Sequence, residues 1–272
     1  MSTEATLRAG GSWRSPGALR VVSWHFATYR RLWKVNLLSS LVQPMLFLLG
    51  LGVGVGSLVD SNTGSSDVLG GSSYVAFVVP GLLVTTAMAL AAGESMWPVL
   101  GGLRWNRGYH GIAATPLDAG DIVLGHATWM ALRCGIATGS VALVLACFGE
   151  TRSWGLAPSV LVSMLVGVAF AMPIMALSVS AEMDGRFPAI QRFVIIPLFL
   201  FGGAFYPLSQ LPLVVQWVAK VAPLWHGVVV ARGFTNGNVD WVGVAGHLAY
   251  VALWAVVGTV VATRRLSGKL YT

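Results

Sequence analysis

The chain has 272 residues, of which 56% are hydrophobic and only 10% charged, with a formal net charge of +7. Soluble domains carry about 25% charged residues, so most of this chain cannot face water and little length remains for a soluble domain. The cations sit in short clusters between long apolar runs, the pattern of topogenic charge and not of a nucleic-acid-binding face.

Residues 1–17 are polar and rich in Gly and Ser and read as a flexible N-terminal tail. They lack the short apolar core and small-residue cleavage site expected of a cleaved signal peptide. Over 18–34, Leu19, Val22, Phe26, Tyr29 and Trp33 recur at three- and four-residue steps, with Arg20, Arg31 and Lys34 on another face. That periodicity predicts an amphipathic helix lying in the headgroup layer; the plainer alternative is an ordinary juxtamembrane stretch.

Six runs come near the roughly 20 apolar residues a membrane helix needs: 35–59, 74–97, 121–148, 157–181, 189–206 and 241–263. They predict an all-α membrane protein with a six-helix domain over 35–264 and a cytoplasmic tail over 265–272. In the first run, Gly50, Gly52, Gly54 and Gly56 alternate, and the pairs Gly50/Gly54 and Gly52/Gly56 fit small-xxx-small helix packing. No strand–turn–helix context accompanies them, so they are no dinucleotide fingerprint. Glu94 lies near the end of the second run, as an interfacial carboxylate or an intramembrane charge. Arg133 lies about 18 Å into the third run. A charge at that depth costs a few kcal/mol or more unless it faces protein, a partner or water, so Arg133 is expected to be buried in a structural or pathway role.

Between the second and third runs, Leu103-Arg104-Trp105-Asn106-Arg107-Gly108-Tyr109-His110 leads to Ala114-Thr115-Pro116-Leu117. This basic, aromatic stub, broken by Pro116, reads as a docking element for a cytoplasmic partner or as a headgroup anchor. Cys134 and Cys147 share one run about 19 Å apart along a helix, too far for a disulfide. The fifth run is short and holds Pro197. The semi-apolar stretch 211–231 that follows is broken by Pro223 and carries Lys220 and His226, with Arg232 just beyond. It predicts an external re-entrant hairpin rather than a seventh span, since irregular backbone at membrane depth must be covered by protein.

Basic residues are rich before the first run, in the second and fourth connections and at the C-terminus. The first and third connections are poor in them. That asymmetry places both termini in the cytoplasm of an inner-membrane protein; Lys220 and Arg232 in the fifth connection are the exception. The chain holds no Gly-x-x-x-x-Gly-Lys-Ser/Thr and no His-Glu-x-x-His, and its five histidines (25, 110, 126, 226, 247) are scattered. No catalytic, cofactor-binding or metal residues are therefore expected within it, nor any nucleotide hydrolysis by a phosphate loop.

Ala114-Thr115-Pro116-Leu117 followed by Asp121-Ile122-Val123-Leu124-Gly125, with Trp129 and Arg133 beyond, resembles the permeases of type-two ABC exporters. The likeness is greatest to the lipo-oligosaccharide (nodulation-factor) and daunorubicin-type drug exporter branches. Val79-Pro80-Gly81-Leu82 resembles that family's Pro-Gly-Leu. Phe201-Gly202-Gly203-Ala204-Phe205-Tyr206-Pro207-Leu208, with Leu211-Pro212 and Ala222-Pro223-Leu224, resembles its fifth-helix ending and external hairpin. One departure is that Gly101-Gly102 and Arg104 stand where many relatives carry an acidic segment. The resemblance implies the transmembrane subunit of an ATP-driven exporter of an amphiphile: a glycolipid, a lipid-linked oligosaccharide or a hydrophobic drug. It implies a second permease subunit, identical or paralogous, and a separate ATP-binding subunit that holds ATP and Mg. That subunit would dock on Arg104, Trp105, Arg107, Tyr109, His110 and Pro116. The rival readings are an ion-coupled carrier using Glu94 or Arg133, and a non-transporting membrane scaffold or enzyme.

Overall fold

The computed structural model describes residues 17–61, 69, 73–149 and 151–271, without the side chain of Val53. The N-terminal tail over 1–16 and most of the connection over 62–72 lie outside the described residues. No strand occurs among the described residues, and the chain folds as an all-α membrane protein.

Helix α1 covers Gly17–Arg31 and a bend at Leu32 separates it from α2, Trp33–Asp60, whose middle turns Leu49–Val55 are π-helical. Helix α3 spans Tyr74–Arg104, α4 is the stub Gly108–Ala113, α5 spans Ala119–Leu145 and α6 spans Leu156–Ser180. Helix α7 covers residues 187–201, α8 Leu213–Val221, α9 Pro223–Asn236 and α10 Trp241–Leu270. Side-chain caps fix several starts. Ser73 accepts from the Ala76 amide, Asp240 from the Val242 amide, and Asp118 and Asp121 form a reciprocal capping box at the start of α5. Gly237, at φ 70°, ends α9.

Helices α2, α3, α5, α6 and α10 are each long and apolar enough to cross a membrane. The expected fifth span is different. Helix α7 has about 22 Å of rise, short of the roughly 30 Å hydrocarbon core, and ends at Gly202. Helices α8 and α9 then meet at an angle of 86° across Ala222-Pro223, the geometry of a broken span or a re-entrant loop. Pro223 cannot donate a backbone hydrogen bond, and the residue before it is extended at ψ 139°. Two boundaries also move. Helix α3 runs beyond 97 to Arg104, and α10 runs to Leu270, so most of the expected C-terminal tail is helical.

Helix α6 is the hub, packed against α3, α5, α9 and α10. Most of its apolar residues enter two cores, one with α3, α9 and α10, the other with α5 and α10. At one edge the chain leaving α7 presses on α3: a Cβ placed on Gly81 would lie 2.6 Å from Ala204 Cα. Helix α1 packs along α5 through Val21, Val22, His25 and Tyr29. The expected apolar face of α1 is thus split: Val22 and Tyr29 face the protein, whereas Leu19 and Phe26 are exposed, as is Trp33 on α2. The glycines of α2 divide likewise. Gly52 and Gly56 approach Val75 on α3, but Gly50 and Gly54 face open space. Most of the α2 surface is uncovered, with Leu38, Val42, Leu46 and Leu49 exposed.

Candidate functional site

Two polar regions stand out against this apolar frame, one within the helices and one at the end carrying the basic connections. Inside, Arg133 on α5 is only 2% exposed. Its Nε lies 3.0 Å from Glu94 Oε1 on α3, its Nη1 donates to Ser40 Oγ on α2 at 3.4 Å, and its guanidinium lies 5.0 Å from the centre of the Tyr29 ring on α1. One arginine thus ties four helices together. A buried guanidinium without a carboxylate would carry a large desolvation cost, and the pair offsets it. Arg133 is buried within the protein, as expected for a charge in an apolar run. Glu94 is its partner rather than a free interfacial carboxylate, although its side chain keeps 30% exposure.

Ser40, which accepts from Arg133, also lines a polar cleft. A cavity of about 280 Å³ lies between α2, α3, α5 and α7, with Ser39, Ser40, Gln43, Thr86 and Gln191 among its walls. The Ser39, Ser40 and Thr86 hydroxyls donate to carbonyls of their own helices, so they present oxygen without needing a partner. Beside the ion pair, His126 Nε2 lies 3.2 Å from Ser95 Oγ, and Ser178 Oγ donates to the Ser95 carbonyl at 2.8 Å. His25 stacks on Trp129 at 5.7 Å, and burial lowers its pKa to about 4. Among the described residues no three His, Cys, Asp or Glu side chains converge to hold a metal.

The end surface is built on the α3–α5 connection. Helix α3 stops at Arg104 and the chain turns at Arg107, in the left-handed region at φ 49°, before α4. Arg104, Arg107 and His110, together with Lys269 from α10, line a recess of about 410 Å³. These three, Trp105 and Pro116 are exposed, Trp105 at 66%. Tyr109 is not available at this surface: it is 2% exposed, and burial raises its pKa. It lies under α3, where a Cβ on Gly102 would fall 2.7 Å from its ring, and near Trp24 of α1 at 6.2 Å. Its place is therefore inside the segment, bracing α4 against α1 and α3. Gly102 is required for that approach, which gives a physical reason for glycine at this point of the chain.

Several polar groups have partners that the sequence does not reveal. By charge placement alone, Arg232 on α9 is a topological exception. In the fold its Nη2 donates to the Gly203 carbonyl at 2.9 Å and approaches those of Phe77 and Ala204 at 3.4 Å, with the guanidinium 3.8 Å from the Phe77 ring centre. It satisfies the irregular backbone after α7. His226 and His247 pair at 2.7 Å between α9 and α10, and Tyr250 donates to the Val221 carbonyl at 2.6 Å, holding the α8–α9 break. The cleft residues Gln43 and Gln191 carried one available signal, an amide side chain within or beside an apolar run.

The model of the family described as "ABC-2 type transporter" matches residues 19–234 of the chain. Nodulation protein J of Rhizobium leguminosarum bv. trifolii is 31% identical over 267 residues, covering 97% of each chain. Nodulation protein J of Rhizobium meliloti (strain 1021) is 32% identical over 93% of this chain and 97% of its own length. The inner membrane transport permease YadH of Escherichia coli (strain K12) is 26% identical over 77% of both chains. No solved structure matches the chain significantly.

Proposed function

The chain belongs to the ABC-2 type transporter family, and from that premise we propose that this membrane permease is the transmembrane half of an ATP-driven exporter, worked by a separate ATP-binding subunit. The observation that carries the reading is the exposed surface of Arg104, Trp105, Arg107 and His110, beside Lys269, on a chain with no phosphate loop. A few aromatic and Arg anchors supply most of the energy of such a contact. Movement there passes into the spans by two routes: directly along α3, which carries Glu94, and through Tyr109 to α1 and its neighbour Arg133. ATP and Mg belong on the partner subunit.

A second permease, identical or paralogous, packs on the uncovered side of α2, where Gly50 and Gly54 leave room for close approach. The cleft beside Ser40, Gln43 and Gln191 then lies along the translocation pathway. The substrate is amphiphilic, a glycolipid, lipid-linked oligosaccharide or hydrophobic drug; the nodulation protein J relatives favour the lipo-oligosaccharide class. Both termini lie in the cytoplasm of the inner membrane: α7 with the protein-covered backbone after it, over 202–212, makes the sixth crossing, and α8–α9 form an external re-entrant hairpin. On a Cys147→Ser background, cysteines at Lys269 and Asn238 should then label from opposite sides.

The buried Glu94–Arg133 pair also suits an ion-coupled carrier, and transport separates the two. In proteoliposomes holding the permease with its ATP-binding subunit, efflux of a fluorescent amphiphile should require ATP and survive collapse of the proton gradient. Efflux driven by a proton gradient without ATP would instead establish the carrier.

A further inference from the structure

Outside the cleft, α6, α7 and α10 enclose a second groove that the export reading leaves unused. Its volume is about 570 Å³, within the roughly 300–1,000 Å³ of small-ligand pockets. Its lining is almost wholly apolar, with Phe170, Ile174, Val194, Leu198 and Trp254 among the walls and α8 lying across one end. Along α7 it runs from Ile190 to Phe201, about 16 Å of helix. That is about half the hydrocarbon thickness, the depth of one leaflet.

At the Ile190 end the groove adjoins a polar recess of about 410 Å³, the two sharing Leu177 and Ile190 as walls. Arg186 and Arg265 line this recess. Arg265 donates to the Ala176 carbonyl at 3.0 Å, and neither arginine pairs with a carboxylate among the described residues, although Glu182 and Asp184 are close in sequence. Both arginines lie toward the end of the bundle that bears the basic connections, where the anionic headgroups of the inner leaflet sit under the positive-inside rule.

We propose that this groove is a binding site for one anionic phospholipid of the inner leaflet, its phosphate held between Arg186 and Arg265 and one acyl chain lying along α7. Two chemistries adjoin in the order such a lipid requires: two cations lining one recess, and a leaflet-deep apolar channel leading away from it. The site lies outside the cleft between α2, α3, α5 and α7, so its occupant braces the short α7 rather than crossing the membrane. The proposal rests on the orientation given above, with the basic connections in the cytoplasm, and not on export itself.

The test is native mass spectrometry of the full chain purified in mild detergent and titrated with phosphatidylglycerol. The Arg186→Gln/Arg265→Gln variant should bind about 30-fold more weakly, from about one charge-worth of attraction lost at each arginine. The Lys/Lys variant should stay within a few-fold of the native chain. Ile190→Trp, which narrows the groove where it meets the recess, should also weaken binding. Native chain and charge variant should bind the zwitterionic phosphatidylcholine equally weakly. Unchanged phosphatidylglycerol binding in the double Gln variant or in Ile190→Trp would overturn the site. So would equal displacement by chain-free glycerophosphoglycerol, which would mark a free-phosphate site.

Discussion

Gly81 of α3 and Ala204, just past α7, meet backbone to backbone, with room for no more than a hydrogen between them. The two stretches come from opposite parts of the chain, and each contains one of the short motifs that carry the resemblance to exporter permeases. The fold makes one joint of them, with Arg232 satisfying the carbonyls on both sides.

Gly81→Ala should therefore destabilise the purified protein by about 2 kcal/mol, because the new methyl meets main chain that cannot rotate away. Gly93→Ala, in the same helix but with open space at its Cβ position, should be neutral or slightly stabilising. Thermal unfolding in detergent distinguishes the two. Equal midpoints would mean that α3 and the 202–206 segment separate easily.

Arg133→Leu should lower stability by about 2 kcal/mol and reduce transport, since Glu94 is left without its partner. The double change Arg133→Leu/Glu94→Gln should recover part of the loss, because the orphaned carboxylate is gone. A double-mutant cycle on thermal stability measures this, and purely additive losses would show that the pair is not coupled.

Much of this architecture was legible in the sequence, for identifiable reasons. Five spans and the break at Pro223 follow from apolar length and proline chemistry, and the depth of Arg133 follows from simple rise per residue. The partner of Arg133 was not legible. Glu94 and Arg133 sit on different helices, and periodicity says nothing about which faces meet. Tyr109 stands among the expected docking residues because it sits in a basic, aromatic connection; its burial depends on Gly102, whose missing side chain leaves the space. Arg232 looked like a violation of charge placement because the sequence does not reveal that the chain after α7 leaves carbonyls needing a donor. Helix α7 is shorter than the apolar run 189–206 because the run continues through Gly202-Gly203 after the helix has stopped.

His25 should make stability depend on pH in the acid range. Burial lowers its pKa in the folded chain from 6.5 to about 4, so the unfolded chain binds more protons between those values. The contribution is fully present above pH 6.5, declines as pH falls toward about 4, and changes no further below that. Replacing His25 with Phe, which keeps a ring against Trp129, should flatten this part of the profile. An unchanged acid slope in the Phe variant would assign the effect to another group.

The export account turns on the end surface, and the direct measurement is retention of the ATP-binding subunit on the permease. Arg104→Ala/Trp105→Ala removes two exposed anchors without touching Tyr109 or the membrane core, so the permease should reach the membrane at its normal level. Each such anchor contributes about 2 kcal/mol in a contact of this kind. The account predicts at least about a tenfold loss of ATP-binding subunit co-purified per permease, with a parallel loss of ATP-driven efflux. Undiminished co-purification and efflux from the double variant would contradict it.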